Sequence, residues 1–250
     1  MSTDGLQAGI LLPALAAGLL VLLTHVPLGL EVLRRGIIFI DLALAQFAGL
    51  GIVVAHALGA ESHGWHMQLA ALAAALAGAL FLHWREKRNP AHHEAVIGVS
   101  FVAAASATIL VLAKDPRSGE HMRELLVGQI LWTTWSDLLP LAVVTAAVLA
   151  GWYGLKWKSS PLAFYLMFAI AITASVQVVG VYLVFASLIV PALAARGRAF
   201  HGLCAGAAGY AGGLLASALL DLPSGAAIVL ALLLAAFVVF LMTARLRHAA

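Results

Sequence analysis

The chain has 250 residues, of which 63% are hydrophobic and only 10% charged. Soluble domains carry about a quarter charged residues, so this composition leaves too little polar surface for a water-soluble fold. The net charge of +3 comes from basic residues spread over short loops rather than gathered in one patch, which argues against a nucleic-acid partner.

Apolar runs of about 18–25 residues recur along the chain, the length that crosses a hydrocarbon core. They predict helices near Leu6–Leu28, Ile37–Leu58, Trp65–His83, Ala95–Ala113, Asp137–Leu155, Pro161–Val176, Val179–Ala195, Phe200–Leu219 and Ser224–Leu246. The expected fold is an all-α, polytopic transmembrane bundle of about nine spans, with residues 1–250 forming a single domain. Leu125–Trp132 is apolar but too short to cross and reads as re-entrant or interfacial. The thirty-five residues Pro161–Ala195 are divided into two short spans meeting at Gln177–Gly180. No Lys or Arg precedes Arg34, so the first run reads as a retained helix rather than a cleaved signal peptide. Cys204 is the sole cysteine, which leaves no disulfide framework and no thiolate metal site.

The basic residues test the span count. With the N-terminus outside and alternating spans, Arg34, Arg35, Arg85, Lys87, Arg88, Lys156, Lys158, Arg196, Arg198, Arg245 and Arg247 fall inside. Lys114, Arg117 and Arg123 fall outside. Eleven against three is a strong positive-inside asymmetry, with the C-terminus inside. All six tryptophans lie near predicted span boundaries, as interfacial anchors do. Gly202, Gly206, Gly209 and Gly213 give the eighth span a small-residue face for close helix packing.

Ionisable residues inside spans are expensive unless they face protein or water, which makes each a candidate functional group. His25, Glu31, Asp41 and His56 stand out, with the neutral but polar Gln46. Imidazole and carboxylate suit divalent first-row metals, so Asp41 with a histidine is a sensible transient site. The alternatives are structural: Asp41 caps or hydrogen-bonds within the bundle, and His25 satisfies a backbone carbonyl. Pro27 is a candidate break in the first helix near His25. Glu31 reads as an interfacial partner of Arg34 and Arg35. The outer loop from Glu61 to His66 holds Glu61, His63 and His66; it either collects a metal or is a plain polar loop, and His121 is a further outer-face histidine. The inner loop with His83, His92, His93 and Glu94 reads first as a solvated basic turn. There is no GxxxxGK[ST] phosphate-binding loop, no HExxH and no GxSxG, so neither ATP binding nor hydrolase chemistry is expected of this chain. No catalytic residue and no resident cofactor is assigned.

The segment from Val32 to Gly51, VLRRGIIFIDLALAQFAGLG, resembles the start of the zinc/manganese/iron ABC-transporter permease family. Glu94–Phe101 resembles that family's Glu-x-x-x-Ile-Gly-x-x-Phe helix start. Leu126–Leu131 with Ser136 and Asp137 resembles a turn ahead of the next helix. Val179–Arg196 and Leu220–Gly225 are similar to two late segments. These fall in order from about residue 30 to residue 230. The resemblance implies a type II ABC importer permease-like fold in a bacterial-type inner membrane. It implies a homodimer, paired with cytoplasmic ATPase subunits and an extracytoplasmic metal-binding protein. It places an ATPase-coupling loop at Pro191–His201, with Pro191, Arg196, Arg198 and Phe200. The cargo implied is a divalent metal ion: zinc, manganese or iron.

One departure bears on the cargo. The family pattern Gly-Asp-x-x-Ser-His sets Asp and His four residues apart, on one helical face. Here Ala45 stands four residues after Asp41, and alignment on Gly51 puts Gln46 at the histidine position. Gln is a poorer zinc ligand than imidazole, which makes His25 or His56 a candidate source of the missing nitrogen. Two rival readings are an ATPase-independent secondary transporter or channel and an ABC permease for a metal chelate.

Overall fold

A computed structural model describes residues 3–60, 65–113, 130–155, 160–195 and 197–248, with side chains described between 9 and 243. Among them are nine helices and no strand. They are α1 (Thr3–Arg35), α2 (Ile40–Ala57), α3 (Trp65–Arg88), α4 (His93–Leu112), α5 (Trp135–Leu149), α6 (Pro161–Val179), α7 (Val181–Ala195), α8 (Ala199–Leu220) and α9 (Ser224–His248). A π-helical turn, Ala150–Gly154, extends α5. Eight helices are long and apolar enough to cross a membrane, and α7 is a shorter apolar helix. The all-α, multi-span expectation holds.

Boundaries moved where the chain had a local reason to continue. Helix α1 passes unbroken through Pro13 and Pro27, which corrects the expected break near His25; neighbouring helices hold the turn together where the proline removes a backbone donor. The division of Pro161–Ala195 is real and falls at Gly180, whose φ of 79° and ψ of 164° lie outside any helix. Its N–H donates to Val176 O (2.9 Å), closing α6, and its carbonyl accepts from Val184 N (3.0 Å), opening α7. Ile130–Trp132 is a 3₁₀ turn, while Leu125–Gln129 lies outside the described residues. Thr134 and Asp137 then form a capping box that starts α5.

Close contacts give the helices their directions. A side chain added at Gly202 would meet Val26, one at Gly206 would meet Leu22, and one at Gly18 would meet Tyr210, so α1 and α8 run antiparallel. Gly202 also faces Pro191 O and Ala195, and Ser187 bonds Tyr210, so α7 is antiparallel to α8 and parallel to α1. Gly209 and Gly213 face Leu232 and Ile228 of α9. The small-residue face of α8 thus serves two partners: Gly202 and Gly206 admit α1 and α7, and the other two admit α9.

One end of the bundle follows from this. The Arg35 guanidinium lies over the Phe164 ring at 4.3 Å, and Tyr165 meets both His83 and His93. The end of α1, the end of α3, the starts of α4 and α6, and the α7–α8 turn therefore share one end. That end gathers Arg34, Arg35, Arg85, Lys87, Arg88 and Arg198, all from the segments the charge bias puts together. Lys156, Lys158 and Arg196, and the outer-loop residues Lys114, Arg117 and Arg123, lie outside the described residues, as do the side chains of Arg245 and Arg247.

Candidate functional site

Helix α2 begins with amide groups that have no partner within the helix, and such an N-terminus carries partial positive charge. Two acidic residues converge on it. Asp41 sits in the first turn, 1% exposed. Glu94, from the first turn of α4, accepts a hydrogen bond from the backbone N–H of Phe39 through Oε1 (3.1 Å), capping α2 from another helix. Both Asp41 oxygens and Glu94 Oε2 are buried without a hydrogen-bond partner, and the two carboxyl groups are near enough to interact electrostatically. Neither joins an ion pair among the described residues. Ionising a carboxyl group buried like Asp41, with a second one in the vicinity, is costly in an apolar bundle, and either a proton or a cation relieves it.

The other candidate ligands are placed as follows. Gln46 is buried on α2, five residues beyond Asp41. His25 is fully buried on α1; its Nδ1 lies 3.0 Å from Thr24 Oγ1, and Nε2 has no partner. His56 is exposed in the last turn of α2, about 22 Å along the helix from Asp41 at 1.5 Å per residue. No three His, Cys, Asp or Glu residues form a metal-holding group among the described residues. The structure therefore does not gather Asp41, Gln46, His25 and His56 into one ligand set. His66 is exposed and packs against Trp65 (3.8 Å between ring centroids), whereas Glu61, His63 and His121 lie outside the described residues.

The candidate residue that span-by-span reading missed is Glu94. It stood in a recognisable helix start, but its position in a basic turn suggested a solvated group. The same turn hides more structure than its charge implies. His93 is buried, with Nε2 at 2.6 Å from the hydroxyl of Tyr165, itself fully buried. His83 packs on that ring at 5.4 Å and lies 3.9 Å from Glu86. The solvated-turn reading holds for the exposed His92 and fails for His83 and His93. Glu31 behaves as expected: it accepts from Arg34 (2.8 and 2.5 Å) and Arg35 (2.7 Å).

The predicted coupling segment is a tight turn. Pro191 is buried within α7, Gly197 turns the chain at φ 86°, and Arg198, the N-cap of α8, donates its N–H to Ala195 O (2.8 Å) at the end of α7 and accepts from His201 N (3.0 Å). Arg198 is exposed and Phe200 is 72% exposed, so the turn presents a cation and an aromatic ring at the basic end. Arg196 lies outside the described residues.

Apolar helices of spanning length packed through small residues, with a basic turn at one end, define a multi-pass membrane protein. The signature of the ABC 3 transport family matches residues 7–159 and 148–243, and the chain belongs to that family. Two solved structures share its fold. PsaBC from Streptococcus pneumoniae in complex with Fab aligns with a TM-score of 0.71 at 22% identity, over 95% of this chain and 93% of that one. An inward-facing metal-chelate type ABC transporter aligns with a TM-score of 0.53 at 13% identity, over 100% of this chain and 82% of that one.

Proposed function

We propose that this permease imports a divalent transition-metal ion (zinc, manganese or iron), with ATP hydrolysed on separate subunits that dock at the Pro191–Phe200 turn. The observation that carries the reading is the placement of Asp41 and Glu94 at the start of α2, with three buried oxygens that have no hydrogen-bond partner, in a member of an ABC transport family. Carboxylate oxygens accept manganese, iron and zinc alike, so the pair supports the cation class rather than one metal. In this reading the basic end faces the cytoplasm, by the positive-inside rule. A metal-delivering protein approaches the opposite face, and two copies of the chain form the path. ATP binding and hydrolysis switch the packed helices between outward- and inward-open arrangements. The chain supplies a path and a transient site.

A second reading, import of a metal chelate, draws on the likeness to the chelate-type transporter. The two separate by cargo. The complex with ATPase and binding protein, in proteoliposomes, is expected to take up ⁵⁴Mn²⁺ or ⁶⁵Zn²⁺ only when ATP is present, and Asp41→Asn is expected to cut that uptake by at least about tenfold. The same substitution replaces a buried carboxyl group that has no hydrogen-bond partner by an amide of the same shape, so the metal-free protein is expected to keep close to wild-type stability. Undiminished uptake by Asp41→Asn refutes the site. Uptake without ATP refutes the ABC mechanism in favour of a secondary transporter.

A further inference from the structure

Helix α7 touches both halves of the proposed machine. Its C-terminal end runs into the Gly197–Phe200 turn at the basic end. One helical turn from its start, Phe185 stacks on Phe39 with ring planes 9° apart and centroids 6.3 Å apart. Phe39 is no ordinary neighbour, since it is the N-cap of α2 and its N–H is held by Glu94. Asp41 follows two residues later. The ring pair thus joins α7 to the residue whose N–H is bonded to Glu94 and which precedes the helix bearing Asp41.

The rest of α7 is one continuous helix. Gly180 separates it from α6 with a backbone conformation that is close to glycine-only. Below that break Ser187 Oγ donates to Leu183 O (2.6 Å) and lies 2.7 Å from the Tyr210 hydroxyl, tying α7 to α8. Gly29 of α1 lies against Leu188 O and Ala192. Thus α7 is packed against α1, α8 and α9, is set off from α6 by the break at Gly180, and touches α2 at a contact that includes the aromatic pair.

We infer that Phe185 and Phe39 are positioning residues that transmit movement of the α7–α8 turn to the Asp41–Glu94 pair, so that the ring contact couples nucleotide hydrolysis to release of the cation. This rests on the import reading. Phe39 is 47% exposed and Phe185 only half-buried, so truncating either ring leaves the fold largely intact.

The test measures ⁵⁴Mn²⁺ and ⁶⁵Zn²⁺ uptake and ATP hydrolysis in the same proteoliposomes, with ATPase and binding protein present. Phe185→Ala is expected to lower ions moved per ATP hydrolysed about fivefold while hydrolysis continues, as befits loss of one stacked pair. Phe185→Tyr, which keeps the ring, is expected to restore the ratio, and Phe39→Ala to reproduce the loss. An unchanged ratio in Phe185→Ala overturns the inference, and so does a parallel fall of uptake and hydrolysis. Failure of the wild-type complex to move either ion refutes the import reading instead, and is read before any variant.

Discussion

Gly202 offers the most direct test of the helix packing on which the coupling turn rests. A Cβ there would lie 2.6 Å from Pro191 O, 3.0 Å from Val26 Cγ1 and 3.1 Å from Ala195 Cβ. Ordinary contact begins near 3.4 Å, so Gly202→Ala requires the Pro191 carbonyl to retreat by about 0.8 Å from its 2.6 Å position. That carbonyl belongs to a helix packed against both α1 and α8, and it cannot move by a side-chain rotation. Gly98 is the matched control: it is also helical, and a Cβ there meets nothing within 4 Å. Both substitutions gain the same helix propensity, about 1 kcal/mol in water. The difference isolates overpacking, so Gly202→Ala should be about 2 kcal/mol less stable than Gly98→Ala. Tryptophan fluorescence during SDS titration in mixed micelles measures this gap. Equal midpoints for the two variants would refute the close approach of α8 to α7 and α1, and with it the stated direction of α7.

Three further outcomes follow from named contacts. Glu31→Gln removes the charge that two arginines share; with Arg35 only 14% exposed, the same titration should show a loss of about 2 kcal/mol. Tyr210→Phe keeps the ring against Gly18 but removes the bond to Ser187, and is expected to cost about 1 kcal/mol, with Ser187→Ala adding little on top. Additive losses in the double variant would show that the two hydroxyls are not partners. Gly180→Ala forces a Cβ into a conformation that only glycine adopts freely, at about 1–3 kcal/mol; wild-type stability in that variant would mean that α6 and α7 are joined differently.

Some of the functional picture was legible residue by residue. Glu31 lies three and four residues before its arginines, so helical geometry alone brings them together. Thr134 and Asp137 announce a helix start in the same local way. Gly180 marked a break because no other residue tolerates that backbone. By contrast, Glu94 and Phe39 are 55 residues apart, and nothing local in either tells of the other. His83 and His93 read as solvated loop histidines, whereas α3, α4 and α6 meet at one end and pack both against Tyr165. His56 was attractive for its depth in an apolar run, yet it lies a whole helix away from Asp41.

The amino-acid order alone determined the medium, the approximate number and placement of the helices, and which described basic residues share an end. Each of these depends on the composition of a short window: apolar length against bilayer thickness, proline and glycine against backbone geometry, basic charge against the membrane face. Only tertiary packing decided which polar groups are buried together. Inside a bilayer every helix is apolar on most faces, so no periodic pattern tells one neighbour from another. Glycine contacts of a few ångströms settle the pairing of α1, α7, α8 and α9, and the packing of α4 on α2 brings Glu94 to the Phe39 N–H ahead of Asp41.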